Sequence, residues 1–439
     1  MSGPLIAALA FAALFLLLAL RIPIGVAMFA VGALGYASLA GLQPLLSSLE
    51  STAFDLFANY SFSVVPLFLL MGEFAARAGM SRALFDAARL WLGHRPGGLA
   101  MAAIGACAGF GAICGSSLAT AATMGRVALP EMRRHGYSGA LATGTIAAGG
   151  TLGILIPPSL VLVIYAILAE QNIAELFAAA LIPGILAALG YMAAIAFHVR
   201  LHPQEGPAGT RAPRGERLRA LARTWPVLLI FTLVIGGIYA GLFTPTEGAA
   251  VGATGVGLLA LARGGLDFAG LLEVLRETAR SVAMIFLILL GATIFNVFLA
   301  LTRTPQMLAT WIGDLALPPL LVVAAMLLFY FLFGCVMDSL SMILLTVPIF
   351  VPVVLTLDLG LDGGEVLIWF GILALVSVEV GLITPPVGLN VFVINAMAED
   401  VPMRETFLGV APFLLSDLVR IFLLLLFPSI TLALVHLLF

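Results

Sequence analysis

The sequence predicts an all-α polytopic membrane protein made of two inverted repeats. Of its 439 residues, 62% are hydrophobic and only 10% are charged, whereas about a quarter of the residues in soluble domains are charged. A hydrocarbon core about 30 Å thick is crossed by about 20 helical residues, so the chain can hold ten or more crossings. Two Pro-Pro dipeptides, at 157–158 and 385–386, interrupt long apolar segments. Finally, the two halves of the chain resemble each other.

Hydropathy and arginine placement predict ten crossings, five in each half. The crossings of the first half lie at 3–20, 24–44, 60–78, 139–170 and 175–198. Those of the second half lie at 225–243, 246–262, 281–300, 366–398 and 407–437. The N-terminal apolar stretch lacks the preceding basic residues of a signal peptide, so we expect it to be the first crossing.

Two further apolar segments, 97–133 and 318–357, do not fit simple crossings. Each is too long for one ordinary span and is interrupted near its middle, by CGSS at 114–117 (the first tip) and by GCVMDSLS at 334–341 (the second tip). Glycine and polar residues at such a point disfavour a continuous helix in lipid. We therefore predict two re-entrant helical hairpins.

Arginine placement gives the predicted orientation. All 20 basic residues are arginine, and with the two hairpins entering and leaving on one side, nearly all arginine flanks fall on that side. The exceptions are Arg303, on the opposite side, and Arg420, inside the last apolar segment. Because cytoplasmic flanks are enriched in arginine and lysine, we expect this side to be cytoplasmic and both termini to be periplasmic.

A hydrophilic linker at 199–224 divides the chain into a first repeat, 1–198, and a second repeat, 225–439. Matched features recur at similar offsets: 222 residues from Pro23 to Pro245, 219 from Gly72 to Gly291 and 228 from Pro157 to Pro385. Five crossings and one hairpin in each half place the second half upside down relative to the first. This arrangement is the inverted repeat of secondary transporters; chance similarity of apolar sequence is the alternative.

The segments 147–159 and 377–390 are predicted to be broken helices. Proline has no amide hydrogen and clashes with the carbonyl four residues earlier, so a Pro-Pro pair leaves free peptide groups at membrane depth. Such groups coordinate a cation through carbonyl oxygens and attract an anion at the next helix N-terminus. A simple proline kink is the alternative interpretation.

The first tip and the residues after it carry hydroxyl groups suited to a reversibly bound ion. Ser116, Ser117 and Thr120 offer neutral oxygens for Na⁺ or hydrogen bonds for a carboxylate, and the return helix begins with free amides.

The second tip adds a carboxylate, Asp338, beside Ser339 and Ser341. A carboxylate at the bilayer centre costs about 2.5–3.5 kcal/mol on insertion scales, so Asp338 should face a cavity or a cation. A structural hydrogen bond that caps the tip is the alternative.

Several other polar residues lie in apolar segments. Glu379 precedes the second Pro-Pro break and has two equal interpretations, ion coupling or a scaffold hydrogen bond. Asp417 and Arg420, at i and i+3, are expected to neutralise each other. The five histidines are expected to be interfacial rather than metal ligands. The sequence contains no nucleophile elbow, P-loop or dinucleotide fingerprint, so we expect neither an enzyme nor an organic cofactor, and no nucleic-acid partner.

Four segments together resemble the large membrane subunit of tripartite ATP-independent periplasmic (TRAP) transporters, within the ion-transporter superfamily. They are GSSLATAATMGRVALPEM (115–132), AAGGTLGILIPPSLVLVIYA (147–166), GCVMDSLSMILLTVPIFVP (334–352) and VEVGLITPPVGLNVFVI (378–394). The resemblance covers nearly the whole chain. It implies elevator-type scaffold and transport domains in a bacterial inner membrane.

Carried over residue by residue, the resemblance implies two Na⁺ sites. The first would use Ser116, Ser117, Gly150 and Thr151. The second would use the second tip, with Asp338, Ser339 and Ser341, together with Thr384, Pro385 and Gly388. We expect the substrate to contact Thr120, Gly153, Pro157, Pro158 and Asn390.

The predicted function is therefore Na⁺-coupled import of small organic anions, chiefly carboxylates, across the lipid bilayer. The resemblance implies two protein partners: a small four-helix membrane subunit and a periplasmic substrate-binding protein. The alternative is a stand-alone carrier of the same superfamily, coupled to Na⁺ or H⁺.

Overall fold

The computed structural model describes residues 3–315 and 317–439, in which all regular secondary structure is helical. A 3₁₀ turn, Tyr60–Ser63, precedes the fourth helix. The helices up to the linker are α1 (Gly3–Ala19), α2 (Ile24–Ala40), α3 (Leu42–Ala58), α4 (Val64–Arg77), α5 (Met80–Leu92), α6 (Gly98–Cys114), α7 (Ser117–Arg134), α8 (Gly139–Leu155), α9 (Leu160–Leu168) and α10 (Ile173–Leu201).

The linker contains a 3₁₀ turn, Pro203–Glu205, and one short helix. Five π-helical residues, Thr232–Gly236, join the two helices that follow it. The remaining helices are α11 (Arg214–Ala222), α12 (Trp225–Phe231), α13 (Gly237–Tyr239), α14 (Pro245–Ala262), α15 (Phe268–Leu301), α16 (Thr304–Asp314), α17 (Pro319–Gly334), α18 (Ser339–Val354), α19 (Gly363–Gly381), α20 (Leu389–Ala396), α21 (Met403–Leu426) and α22 (Pro428–Leu438).

Four of the described helices, α10, α15, α19 and α21, are individually long and apolar enough to cross a membrane. Three bent pairs raise the number to seven if each pair counts as one span. The pairs are α3 with the segment from Tyr60 to Arg77, bent by 53°, α8 with α9, bent by 43°, and α11 with the segment from Trp225 to Tyr239, bent by 40°. These helices are those of a polytopic membrane protein, while the ten crossings remain a prediction.

Several helix limits differ from the predicted crossings. The segment 407–437 is two helices, α21 and α22, because Pro428 cannot donate a hydrogen bond into a continuous helix. The segment 281–300 is the apolar end of α15, whose earlier turns carry charged residues. The prediction did not include α3 and α5; their polar and charged residues dilute the hydropathy that identifies a crossing.

The helices of the two halves pack on each other in a reciprocal way. Helix α2 lies against α15, and α4 lies against α14. Glycine makes the first contact close: a Cβ added at Gly32 would lie 2.7 Å from Cα of Phe295, and one added at Gly291 would lie 2.2 Å from the carbonyl oxygen of Gly25. Small residues let membrane helices approach in this way.

Helices α8 and α19 form the centre of the molecule. Every residue from Leu141 to Leu155 and from Val366 to Gly381 is buried. Each helix packs against both arms of a helix pair, α8 against α6 and α7 and α19 against α17 and α18. The tips that end these arms are therefore held beside the breaks that follow α8 and α19.

Candidate functional site

The first tip is a tight turn between α6 and α7. Gly115 adopts the left-handed conformation, with φ of 65°, and its amide donates to the carbonyl of Gly111 to close α6. Ser116 is extended, and its Oγ accepts a 3.4 Å hydrogen bond from the amide of Ala119 at the start of α7. A glycine C-cap followed by a serine N-cap ends one helix and starts the next within two residues.

The second tip has a carboxylate cap in the corresponding place. Asp338 accepts hydrogen bonds from the amide of Ser341 at 3.0 Å and from its hydroxyl at 2.5 Å, and so caps α18. The capping role proposed for Asp338 as an alternative is thus present. Half-buried Asp338 also lines a cavity, so capping and a cavity-facing position coexist.

The chain leaves the helical conformation at both Pro-Pro pairs. Helix α8 ends at Leu155 and α9 begins at Leu160, with Ser159 capping α9 through a hydrogen bond accepted from the amide of Leu162. Helix α19 ends at Gly381, and α20 begins after Gly388, whose φ is 62°. Both Pro-Pro pairs are joined by cis peptide bonds.

Each tip is hydrogen-bonded to the break of its own half. The amide of Leu160 donates to the carbonyl of Gly115 at 3.5 Å, and the amide of Gly388 donates to the carbonyl of Cys335 at 3.2 Å. Glycine pairs bring the supporting helices together: a Cβ added at Gly111 would lie 2.7 Å from Cα of Gly153, and one at Gly381 would lie 2.5 Å from the carbonyl carbon of Gly334. The two halves thus build their junctions from equivalent contacts.

A single buried carboxylate, Glu379, connects the two tips. It lies on α19 with no exposed surface. One carboxylate oxygen accepts a hydrogen bond from the hydroxyl of Ser117, and the other accepts a 2.6 Å hydrogen bond from the hydroxyl of Ser339. Ser117 and Ser339 are the first residues of α7 and α18. Glu379 therefore holds the starts of both return helices at one point.

Most residues predicted for the first cation site and the substrate meet beside α8. A Cβ added at Gly150 would lie 3.0 Å from Nδ2 of Asn390 and 3.1 Å from the carbonyl oxygen of Ser117, and one added at Gly153 would lie 2.4 Å from Oγ1 of Thr120. Glycine at both positions leaves room for these polar groups.

Two side-chain oxygens in this region have no hydrogen-bond partner within the described residues. They are Oγ1 of Thr120 and Oδ1 of Asn390, and both side chains are fully buried. The amide nitrogen of Asn390 donates to the carbonyl of Ala147 at 3.2 Å, which orients the other atom of the amide. Because buried polar atoms are normally paired, these two oxygens are available to a bound ligand.

The side chain of Thr151 makes its hydrogen bonds outside this cluster. Its hydroxyl donates to the carbonyl of Ala148 at 2.7 Å and lies 3.1 Å from the hydroxyl of Tyr191. Tyr191 donates to Asp417 at 2.8 Å, and Arg420 donates to the other oxygen of Asp417 at 2.8 Å. The mutual neutralisation expected for Asp417 and Arg420 is present in this buried network.

The residues predicted for the second cation site lie around the second tip but face several directions. The hydroxyl of Ser341 is used by Asp338, and that of Thr384 donates to the carbonyl of Val380 at 2.7 Å. Pro385 is exposed, whereas Gly388 is buried against the tip. Pro157 and Pro158, predicted to touch substrate, are buried.

A cavity of about 160 Å³ lies between the two tips and α15. Its polar lining comes from Ser116, Ser117, Asp338, Ser339 and Ser281. A larger cavity of about 720 Å³ lies between α4, α5, α7 and α15 and carries Glu73, Arg77, Arg82, Arg126 and Glu277, among others.

Sequence reasoning did not assign Ser281 to the site and left Glu379 undecided. Ser281 lies at the start of the predicted crossing 281–300, where nothing in the sequence marks it as a lining residue. For Glu379 the signal was present, because an acidic residue inside a continuous apolar segment is a functional candidate. Its two serine partners come from other helices, so the sequence alone did not identify them.

Comparison with known proteins gives a consistent family match. Residues 11–430 match the family described as "Tripartite ATP-independent periplasmic transporter, DctM component". The C4-dicarboxylate TRAP transporter large permease protein of Pseudomonas aeruginosa is 36% identical over 388 residues, covering 88% of this chain and 89% of its own. The sialic acid TRAP transporter large permease protein of Vibrio cholerae is 33% identical over 86% of each chain. The ectoine/5-hydroxyectoine large permease protein of Ruegeria pomeroyi is 31% identical over 97% of this chain and 98% of its own.

Among solved structures, the fold is similar to that of the YdaH transporter of Alcanivorax borkumensis. The TM-score is 0.66, the sequence identity is 16%, and the match covers 88% of each chain. This similarity concerns the fold alone.

Proposed function

The chain belongs to the DctM family of tripartite ATP-independent periplasmic transporters, and on that premise we propose that it couples the import of small organic anions to Na⁺. The family is that of the large permease subunits, which are secondary transporters of organic acids. What the proposal adds is the coupling ion, the preference for carboxylates and the way the two halves of the chain move.

The observation that carries the proposal is the junction at Glu379. One buried carboxylate accepts hydrogen bonds from Ser117 of the first half and from Ser339 of the second half. Polar groups at membrane depth are costly and mark ion and substrate pathways. Secondary transporters hold substrate and coupling ions at discontinuous helices where their repeats meet, and Glu379 lies between two such breaks.

Na⁺ fits the oxygen atoms that this junction offers. The sequence assigned Thr120 and Asn390 to the substrate, and we propose them instead as cation ligands. Their unpartnered oxygens and the nearby carbonyl of Ser117 are hard donors, which suit hard cations better than soft ones. Glu379 accepts a hydrogen bond from Ser117 at the start of α7, and in its ionised form it would offset the charge of a cation. Asp338, Ser339, Ser341, Thr384, Pro385 and Gly388 remain a proposed second site.

The substrate is proposed to bind in the cavity between the tips. The N-termini of α7 and α18 meet there, and helix N-termini attract anions through their free amides and the helix dipole. The relatives are named for C4-dicarboxylates, sialic acid and ectoine, which are small polar organic molecules that carry carboxyl groups. Ser116 and Ser281 would donate hydrogen bonds to such a group.

We propose that the two halves are inverted repeats, which would explain their reciprocal contacts. We also propose that the chain works by an elevator movement. Helices α6–α9 and α17–α20 are proposed to form the transport domain, and α2, α4, α14 and α15 part of the scaffold. The matched glycine contacts, Gly111 with Gly153 and Gly334 with Gly381, support an internal duplication. The linker and most arginine flanks are proposed to be cytoplasmic, with both termini in the periplasm.

The family works with a small membrane subunit and a periplasmic binding protein, and we propose that both are partners of this chain. Uptake of a carboxylate into proteoliposomes should then require all three proteins and an inward Na⁺ gradient. The double variant S116A/S117A should express normally and show a weaker dependence on Na⁺. An uptake rate that does not depend on the Na⁺ gradient would refute Na⁺ coupling. A wild-type Na⁺ response of the double variant would refute the role of the first tip.

A proton is the second candidate for the coupling ion, because Glu379 is a buried carboxylate at the junction. Uptake driven by a pH gradient without Na⁺, and lost in E379Q, would favour this alternative. Uptake driven by Na⁺ at constant pH would exclude the proton as the required ion.

A further inference from the structure

Three possible metal ligands converge where α10 ends and the linker begins. They are His198, His202 and Glu205, and their ligand atoms all lie within 4.8 Å of one another. Nε2 of His198 lies 2.9 Å from a carboxylate oxygen of Glu205. The two imidazole rings are 5.0 Å apart at their centroids. This group is separate from the junction at Glu379.

The local structure explains why the three side chains meet. His198 and His202 are four residues apart, so a helix places them on one face. The 3₁₀ turn Pro203–Glu205 then returns the chain toward that face, and the amide of Glu205 donates to the carbonyl of His202 at 3.1 Å. The cluster is therefore built from one continuous segment of eight residues.

Contacts with the rest of the molecule hold the turn in place. The amide of Ser138 donates to the carbonyl of Glu205 at 3.0 Å, and the amide of Gly97 donates to the carbonyl of Gly206 at 2.8 Å. The hydroxyl of Ser138 also donates to the Glu205 carboxylate at 3.2 Å. Metal ligands are commonly oriented by outer hydrogen bonds of this type. The turn is thus attached to the starts of α6 and α8.

We propose that His198, His202 and Glu205 form a binding site for one divalent first-row transition metal, for which Zn²⁺ is the probe. Two imidazoles and one carboxylate suit Zn²⁺, Cu²⁺, Ni²⁺ and Co²⁺, whereas Mg²⁺ and Ca²⁺ prefer oxygen ligands. With bonds of about 2.0–2.2 Å, tetrahedral ligands lie about 3.3 Å apart. The cluster contracts to that size by small rotations of the half-exposed side chains, and water completes the coordination.

Metal binding would replace the His198–Glu205 hydrogen bond with a stronger link between α10 and the turn. Because the turn is bonded to Gly97 and Ser138, the metal would also fasten the end of α10 to the starts of α6 and α8. The folded protein should therefore be stabilised increasingly as the free metal concentration rises above the dissociation constant. This effect does not depend on which ion drives transport.

The test uses the full-length chain in detergent, purified without a polyhistidine tag. Isothermal titration with ZnCl₂ should show one site, and the thermal unfolding midpoint should rise with Zn²⁺. Co²⁺ should give the visible absorption of a tetrahedral site. All three signals should be lost in H198N/H202N and weakened in E205Q, which keeps the turn and both hydrogen-bond partners of residue 205.

His135→Gln is the matched control, because His135 is an exposed histidine outside the cluster. It should bind Zn²⁺ like the wild type. The proposal is overturned if the wild type takes up no Zn²⁺, or if H198N/H202N and E205Q, each with a metal-free unfolding midpoint like that of the wild type, bind Zn²⁺ unchanged. Should H198N/H202N fail to fold, E205Q alone decides between the two outcomes.

Discussion

When Glu379 is ionised, replacing it by glutamine removes the charge that joins the two tips and leaves the shape of the side chain. Glutamine offers one carbonyl oxygen and one amide group, so one serine hydroxyl can still donate to it and the other can accept from it. Ser117 and Ser339 therefore stay paired. The variant isolates the contribution of charge from that of packing.

The expected loss follows from the two hydrogen bonds. A hydrogen bond to a charged group contributes about 1.5–3 kcal/mol and a neutral one about 0.5–1.5 kcal/mol. The change costs about 1 kcal/mol for each serine, or about 2 kcal/mol in all, which is about 30-fold in an equilibrium constant. Since apparent affinity falls with the fraction of molecules that are competent to bind, the half-saturating Na⁺ concentration should rise by up to about 30-fold.

The assay is uptake of a carboxylate by proteoliposomes that contain both partners, measured over a range of Na⁺ concentrations. E379Q should approach the wild-type rate at saturating Na⁺ and fall well below it at low Na⁺. Glu405→Gln, which removes an exposed carboxylate in the first turn of α21, should behave like the wild type. A wild-type Na⁺ dependence of E379Q would show that Glu379 is only a scaffold residue.

Three further predictions concern packing, charge and a single hydroxyl. Gly381→Ala places a Cβ 2.5 Å from the backbone of α17 and should lower stability by about 1–3 kcal/mol, measured as a lower unfolding midpoint. Gly313→Ala is the control, because its Cβ would have no atom within 4 Å, and it should leave the unfolding midpoint unchanged. Arg420→Met leaves the buried Asp417 without its counter-charge and should cost about 3–5 kcal/mol. The double variant with D417N should recover part of this stability in thermal unfolding, and no recovery would contradict the pairing. Thr120→Val should leave the unfolding midpoint unchanged and raise the half-saturating Na⁺ concentration in the uptake assay, and an unaltered Na⁺ response would remove Thr120 from the cation site.

Features that depend only on the local backbone conformation could be predicted from the sequence. The helix ends at Leu155 and Gly381 precede Pro-Pro pairs, because proline cannot supply the amide that the next turn needs. Gly115 and Ser116 end one helix and start another through their own conformation and hydroxyl group. The apolar composition in turn predicted a polytopic membrane protein.

Features that depend on partners distant in sequence could not be read in this way. Nothing near Thr151 indicates that its hydroxyl turns toward Tyr191, 40 residues later, instead of toward the first tip. His198 and His202 were expected to be interfacial although they stand four residues apart, because the carboxylate of Glu205 reaches them only through the tight turn Pro203–Glu205. The amphipathic helix α3 escaped prediction because its polar residues dilute the hydropathy of its apolar face.

The bond between Ser117 and Glu379 also has a consequence for biosynthesis, since its partners are 262 residues apart. At about 5–20 residues per second, the ribosome needs roughly 13–52 s to add that length of chain. During that interval Ser117 has already been made and its acceptor has not. In the nascent first half, this hydroxyl must form its hydrogen bond with another partner, such as water, the insertion machinery or a temporary neighbour. The centre of the permease is completed only as the last segments are released into the bilayer.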